Sequence, residues 1–469
     1  MQITSNRTGV TAIDVPVKLT KRLAEVTGLG PQIQFAGRPL RVVVRGRGFE
    51  GLNLQSRLSM SATVTDRQPI NDRAFVVNAN ALAQGQYSVG VTHAVGFPAS
   101  TQTLHVLTAT NPTYAVVSSN ASVRSLFVDP RRATVYGVRI APQQQLARYR
   151  LQAGVWTEQT PRSFPQLHNA GLSNDANRLY VTTSPGRLSF YDIDNTGTLN
   201  FISQFDREGG LYHPYNLYGI QGPISVSSDN RIWLAGDSGI PSWGELTYFD
   251  IASSQFQDVV PTTFYTSFSN SPVISVSRDG MKLIVDQSQG TPNRVLTMST
   301  ATDELVERPL QYNCYGTQSD DGDRALCAIT VYDGDMNIYA DIGISNDDRG
   351  EGWLESVLAR VVSPSGRFAY VYASHAQDYN FNSSGLGSEP VPTNRPRVYV
   401  FDLSSETAPG IIESTTFFEF DGLDFPSCRT FYGSCSTMVA AAIAPDGNTL
   451  YFMGDRNLVV VPIPAPYRN

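Results

Sequence analysis

The chain has 469 residues, and 35 Lys and Arg against 42 Asp and Glu give it a net charge of −7. That balance excludes a general nucleic-acid binder, which needs a basic surface to release counterions from phosphates, and a polybasic membrane-surface protein. Charged residues make up only 16%, while Gly (38), Pro (28), Tyr (22) and Phe (22) are plentiful, a mixture that points to many short strands and turns.

The chain opens on MQITSNRTGV, which is polar and lacks the apolar stretch of a signal peptide. No later apolar run approaches the ~20 residues that cross a bilayer, so no membrane span is expected. Leu19–Leu29, with KRLAEV in its middle, reads as a helical turn or two. Alternating strands follow in RPLRVVVRGRGFEG from Arg38, RAFVVNANALAQGQYSVGVTH from Arg73 and TLHVLT from Thr103. Their spacing predicts a small antiparallel β-sandwich over residues 1–108. The V-x-G-x-G-F opening at Val44–Phe49 and the L-x-x-G-x-Y-x-V-x-V closing at Leu82–Val91 resemble the IPT/TIG immunoglobulin-like family. The resemblance covers about 60 residues and implies an Ig-like fold.

From there to the end, residues 109–469, one pattern recurs: small apolar residues, Ser, a turn rich in Asp, Asn or Gly, then an aromatic or apolar strand. It appears as FVDPRRATVYGV from Phe127, GLSNDANRLYVT from Gly171, SVSSDNRIWLAG from Ser225 and SVSRDGMKLIVD from Ser275. It continues as TQSDDGDRALCA from Thr317, VVSPSGRFAYVY from Val361 and AIAPDGNTLYFM from Ala442. Each copy reads as a tight hairpin, because the turn residues tolerate positive φ. Third strands follow several copies, such as LSFYDID from Leu188, ELTYFDI from Glu245, RVYVFDL from Arg397 and LVVVPIP from Leu458. More polar fourth strands come next, such as LNFISQF from Leu199. Four strands per ~50 residues, in seven copies, describe a seven-bladed β-propeller. Two inserts, His375–Pro396 and Asp421–Ser436, lengthen the last step. The last copy stops after its third strand, and TYAVVSS near 113–119 would supply the missing outer strand and close the ring.

Within the second copy, RLYVTTSPGRLSFYDIDNTGTLNFI (Arg178–Ile202) resembles the YVTN and lactonase-type seven-bladed propellers through LYV, L-x-x-Y-D-I-D and G-T-L. The resemblance supports the fold; propellers host many unrelated activities.

Four cysteines fall in two local pairs. Cys314 and Cys327 flank the turn Ser319–Asp323, where a hairpin would set them opposite each other; Cys428 and Cys435 bracket an aromatic loop. Two disulfides and an oxidising compartment follow from this pairing, against the reading of four free core thiols. Zinc has no Cys-x-x-Cys or adjacent His to support it there.

The repeated Ser-x-Asp-Gly turns are short and uniform, so their face of the ring reads as structural. The other face, with the connections from second to third strands and from blade to blade, carries the long irregular loops where sites are usually grafted. All three propeller histidines, His168, His213 and His375, fall in those loops. Acids begin several of them: Asp237, Asp286, Asp333 with Asp335, Asp378 and Asp455; Tyr212, Tyr215 and Trp243 stand nearby. Three readings compete. Acids and aromatics at the channel mouth bind a cationic, sugar-like or peptide ligand; His168, His213 and His375 with Asp residues hold a divalent metal, Ca or Zn; or these are ordinary solvated loop residues. Asp192–Gly197 (DIDNTG) resembles the start of a calcium loop but lacks the acidic twelfth ligand, Ser203 standing there, and reads as a turn. No Gly-x-Ser-x-Gly elbow, Walker loop or His-Glu-x-x-His is present.

The expectation is an all-β, extracytoplasmic bacterial protein (secreted, periplasmic or cell-surface), its signal peptide absent from this sequence. The leading function is non-enzymatic binding or scaffolding, the loop face taking a protein or glycan partner without a resident cofactor. Aromatic inserts at Tyr379–Phe381 and Phe425–Tyr432 would supply contacts. The alternative is a lactonase-like or other metal-assisted hydrolase with its site at the channel mouth.

Overall fold

The computed structural model describes residues 2–3, 13–14, 24–49, 58–60, 63–91, 100–119, 123–139, 143–183, 186–208, 223–237, 243–259, 267–269, 273–287, 294–309, 317–327, 329–343, 356–374, 397–404, 410–420, 440–454 and 456–468. Nearly all regular structure among them is β-strand, with one 3-10 turn at Ala465–Tyr467. No helix among the described residues is long and apolar enough to cross a membrane.

The N-terminal part forms two four-stranded sheets. One orders Glu25–Gly30, Leu40–Arg47, Ala74–Ala79 and Val64–Asn71; the other orders Ile33–Phe35, Ser100–Leu107, Gly85–Val91 and Leu58–Met60. Alternate residues of the first sheet (Val42, Val44, Phe75, Val77) and of the second (Val89, Val91, Leu104, Val106) share one buried core. The helical turn expected around Leu19–Leu29 is not formed where the chain is described: Glu25–Gly30 is a strand paired with Leu40–Arg47. Val26 and Leu29 join the sheet core, and this tertiary burial overrides local helix propensity.

From Ala115 onward, antiparallel sheets follow one another, and each is a blade of a β-propeller. Blade one comprises Ser125–Asp129, Thr134–Arg139, Gln145–Gln152 and Val155–Ser163; blade two Leu167–Leu172, Arg178–Thr183, Arg187–Ile193 and Leu199–Asp206. Blade three comprises Ser225–Val226, Arg231–Asp237, Trp243–Asp250 and Gln255–Asp258, and Ser267–Ser269 also pairs with its third strand. Blade four comprises Val273–Val276, Lys282–Gln287, Arg294–Ser299 and Glu304–Pro309; blade five Thr317–Gln318, Arg324–Cys327, Thr330–Asp333 and Ile338–Gly343, to which Ile411–Glu413 adds a parallel fifth strand. Blade six comprises Ser356–Val362, Phe368–Ser374, Arg397–Asp402 and Thr416–Glu419. The last comprises Ala440–Ile443, Thr449–Met453, Asn457–Pro462 and, as its outer strand, Ala115–Ser118 from the start of the region.

Burial shows why this order closes into a ring. Each hydrophobic cluster of the propeller straddles two consecutive sheets, and there is one for every seam, including the seam between the last blade and the first (Leu126, Tyr149 and Trp156 against Tyr451, Met453 and Leu458). A strand lends alternate residues to the two seams: Val398 and Val400 enter one, Tyr399 and Phe401 the other. Strands buried on both faces have little room for charge, which accounts for the low charged fraction.

The repeated hairpins obey one local rule. Ser173, Ser227, Ser277 and Ser319 each donate a hydroxyl hydrogen bond to the Asp two residues on, Asp175, Asp229, Asp279 and Asp321. The turn then closes through a residue with positive φ: Ala133, Ala176, Asn230, Gly280, Gly322, Gly366 and Gly447 in successive blades. Glycine or asparagine fits that position without strain.

Candidate functional site

The two faces of the ring are not equivalent. On the hairpin face the N-terminal sheets dock. Strand Leu40–Arg47 turns Val42 and Val44 into its own core and Arg41, Val43 and Arg45 toward the propeller. Arg41 Nη1 meets Asp279 at 2.8 Å. Arg45, 3% exposed, donates to Asp229 at 3.0 Å and to the carbonyl of Thr300 at 2.6 Å. Val43, Ala74 and Val76 pack on Met281 and Ala301 between these pairs. Asp446 accepts the Thr110 amide at 2.7 Å and its hydroxyl at 3.0 Å, fixing the connection between the two parts.

The electrostatics of this face follow from burial. Burial lifts the Asp279 carboxyl above the usual range, against the pull of Arg41 and Ser277. Asp320 is pushed up to about 6 by burial, with Arg278 opposing and Asp279 and Asp321 adding to the rise. Asp229 behaves differently: Arg231 and Arg45 outweigh its burial and hold it below the ordinary value. In the sequence the acids read as turn residues of the repeated hairpins, and nothing there pairs them with arginines of the N-terminal part. A stripe of Arg41, Val43 and Arg45 at period two reads by default as a solvated strand face.

On the opposite face the structure places four of the sequence-derived residues at one end of consecutive blades. His168 begins the first strand of blade two at a bulge, Leu167 pairing with Thr183 and Asn169 with Thr182, and it is half-buried. A bulge re-aims the side chain it carries. Asp237 ends the second strand of blade three opposite Gly244; Trp243 begins the third strand opposite Ser269. Asp286 lies near the end of the second strand of blade four, between Val273 and Val295. Tyr212, His213, Tyr215, His375 and Asp378 lie outside the described residues, as do Asp455, Tyr379–Phe381 and Phe425–Tyr432.

Asp333 is a correction. It ends the third strand of blade five and sits on the hairpin face, where it accepts the amides of Asp335 and Asn337, each at 2.9 Å. No Gly, Asn, Asp or Pro stands between Cys327 and Thr330 to mark a turn in the sequence, yet the two residues pair and the chain reverses between them. Those hydrogen bonds hold the Asp333 carboxyl below its usual range despite some burial.

The Asp192–Gly197 segment is a turn. Asp194 Oδ1 accepts from the amides of Thr196 and Thr198, both at 2.8 Å. Arginines of blade one occupy its carbonyls: Arg132 on Ile193 and Asp194, Arg150 on Thr196 and Asn195, Arg148 on Gly197. Guanidinium groups thus stand where a cation would. Among the described residues, no group of three or more His, Cys, Asp or Glu is gathered to hold a metal ion. Cys327 is buried and disulfide-bonded; Cys314, Cys428 and Cys435 lie outside the described residues.

No family model matches the sequence, and no curated protein matches it. Among solved structures, the chain is similar to one described as the structure of Dos1 propeller, at 12% identity and a TM-score of 0.45, over 73% of this chain and 78% of that one.

Proposed function

We propose that this protein is an extracytoplasmic binding or scaffold protein: an Ig-like module of the IPT/TIG type, residues 1–108, seated on a seven-bladed, YVTN-like propeller, residues 109–469, whose loop face takes a protein or glycan partner. The observation that carries the reading is the docking of the N-terminal sheets on the hairpin face through Arg41–Asp279 and Arg45–Asp229. That docking leaves the face of irregular connections as the one available to a partner, and rigid scaffolds carry their sites on such loops. His168, Trp243, Asp237 and Asp286 stand at that end. The disulfide at Cys327 favours an oxidising compartment.

The bulge at His168 favours a second reading, metal-assisted hydrolysis at the same channel mouth. One experiment separates the two. Purified protein is analysed for bound metal, assayed on lactones, and titrated calorimetrically against a panel of soluble oligosaccharides. Binding without metal or turnover, weakened by Trp243→Ala and His168→Ala and unchanged by Arg41→Ala, supports the binding reading. A stoichiometric metal lost with His168→Ala, together with lactone hydrolysis, replaces it by the enzyme.

A further inference from the structure

Protein crosses the mouth of the propeller channel on the hairpin face. Arg278 projects from the hairpin of blade four. Its Nη1 donates to Asp320 of blade five at 2.8 Å and to the carbonyl of Pro445, in the last blade, at 2.9 Å. Its Nη2 donates to the carbonyl of Ile33 in the N-terminal sheets at 2.5 Å. Blade four and the last blade stand on nearly opposite sides of the ring, so a side chain bonded to both lies over the axis.

The strand Ile33–Phe35 fills the space around it. The Arg278 guanidinium lies 5.6 Å from the Phe35 ring centre, a cation–π distance. Phe35 shares a cleft with Val128, Pro130 and Ala133 of blade one and Ala444, Pro445 and Asp446 of the last blade. Ile33 and Phe35 also cluster with Ala176 of blade two. The hairpins beneath are tied together by their backbones: the Asp279 amide donates to the Asp320 carbonyl at 2.7 Å and the Asp320 amide to the Pro364 carbonyl at 2.8 Å.

Two glycines let the backbones meet. A Cβ on Gly28 would stand 1.9 Å from the Ser228 carbonyl oxygen, and one on Gly30 would stand 1.9 Å from that of Asp279. No other residue permits that approach.

We infer that the N-terminal sheets are a fixed stopper that closes the hairpin-face mouth of the propeller channel. A mobile spacer would hang from its connecting segment and touch the ring through few, separable contacts. Here ion pairs, an apolar patch, a crossing arginine and direct backbone contact act together on blades one, two, three, four and the last. The two parts therefore open only in a common unfolding event, and no solute enters the channel through the hairpin face.

The Thr110 amide, which donates across the junction to Asp446, reports on the stopper. In hydrogen exchange on the intact chain, this amide should exchange no faster than the amides of the blade-four strand Arg294–Ser299. Gly30→Ala should speed Thr110 exchange by more than about tenfold, with little change in that strand, because local opening is then uncoupled from global unfolding. Should Gly30→Ala not fold, the double variant Arg41→Ala/Arg278→Ala makes the same test. A Thr110 amide that exchanges like an open linker in the wild-type chain, or one that neither variant affects, overturns the inference.

Discussion

Asp279 stands 2.8 Å from Arg41 and joins the hairpin of blade four to the N-terminal sheets, yet the two residues are unequal partners. The Asp279 side chain is 1% exposed and its second oxygen takes the Ser277 hydroxyl at 2.7 Å and the Met281 amide at 3.0 Å. The Arg41 side chain is 44% exposed. Removing Arg41 leaves a carboxyl that keeps the Ser277 and Met281 donors and that burial already favours protonated, so the loss is held to about 1–2 kcal/mol. Removing Asp279 also strips the hairpin of its internal acceptor and should cost about 2–4 kcal/mol. Urea unfolding of Arg41→Ala and Asp279→Ala checks this; equal losses would mean that the ion pair, not the turn, is what Asp279 contributes.

Much of the ring was legible because its cause is local. The Ser-x-Asp hairpin and the alternation in strands such as Arg397–Asp402 are written into consecutive residues, and each was readable without a partner in view. The junction was not legible, because Arg45 is buried only by the approach of Asp229 and Thr300, which are far away in sequence. Asp333 sits on the hairpin face, and its place there is hidden in the sequence for a related reason. No residue type near Cys327 announces the reversal, whereas Gly and Asp announce the turns that were found. His168 was found as a residue, but the bulge that sets its orientation depends on the pairing with Thr182 and Thr183.

A second buried pair lies in the seam between the last blade and the first. Arg139, 1% exposed, donates through Nη2 to Glu158 at 2.5 Å, to the Ser119 hydroxyl at 2.7 Å and to the Tyr149 hydroxyl at 3.2 Å. Burial lifts the Tyr149 hydroxyl above its usual pKa, so it remains neutral. Glu158→Ala would leave a guanidinium in an apolar seam without its counter-charge, at a cost of about 3–5 kcal/mol. Arg139→Met with Glu158→Leu should recover most of that loss, because no charge then remains to be desolvated. Melting of the single and double variants decides it; a double variant no more stable than Glu158→Ala would show that the polar network itself is required.

The junction also carries two opposed pH dependences. Burial, with Arg131 nearby and Asp175 opposing, holds the His105 imidazole below its usual pKa. The unfolded chain then takes up this proton more readily than the folded one. His105's contribution to stability is therefore full above about 6.5 and is lost as the pH falls through that value toward the folded pKa. Asp320, raised to about 6, has the other sign. Its contribution is full below about 3.8 and is lost as the pH rises through about 6. Relative to the wild type, His105→Gln should hold its melting temperature better as the pH falls below about 6.5, and Asp320→Asn should lose less as the pH rises through about 6. Profiles that stay parallel to the wild type would assign the pH dependence elsewhere.

The positive-φ residue that closes each hairpin offers a stabilising substitution. Glycine occupies it at 280, 322, 366 and 447, but blade one has Ala133, at φ 45°. A left-handed L-residue costs roughly 1–2 kcal/mol in backbone strain, and glycine at the same angle avoids it. Against that gain stands the greater freedom of glycine in the unfolded chain, which takes back about 0.4–1 kcal/mol. Ala133 is partly exposed and lines the cleft that Phe35 enters, but among the described residues its methyl enters none of the hydrophobic clusters, so less packing is lost there than at Ala176. Ala133→Gly should therefore leave the protein about 0.5–1 kcal/mol more stable. The same exchange at Ala176, φ 53°, should gain less or nothing, because its methyl packs with Ile33 and Phe35 at the junction. Denaturant midpoints of the two variants measured side by side test the argument: a gain at 176 that matches or exceeds the gain at 133 would show that strain alone, and not contact with the N-terminal sheets, governs these positions.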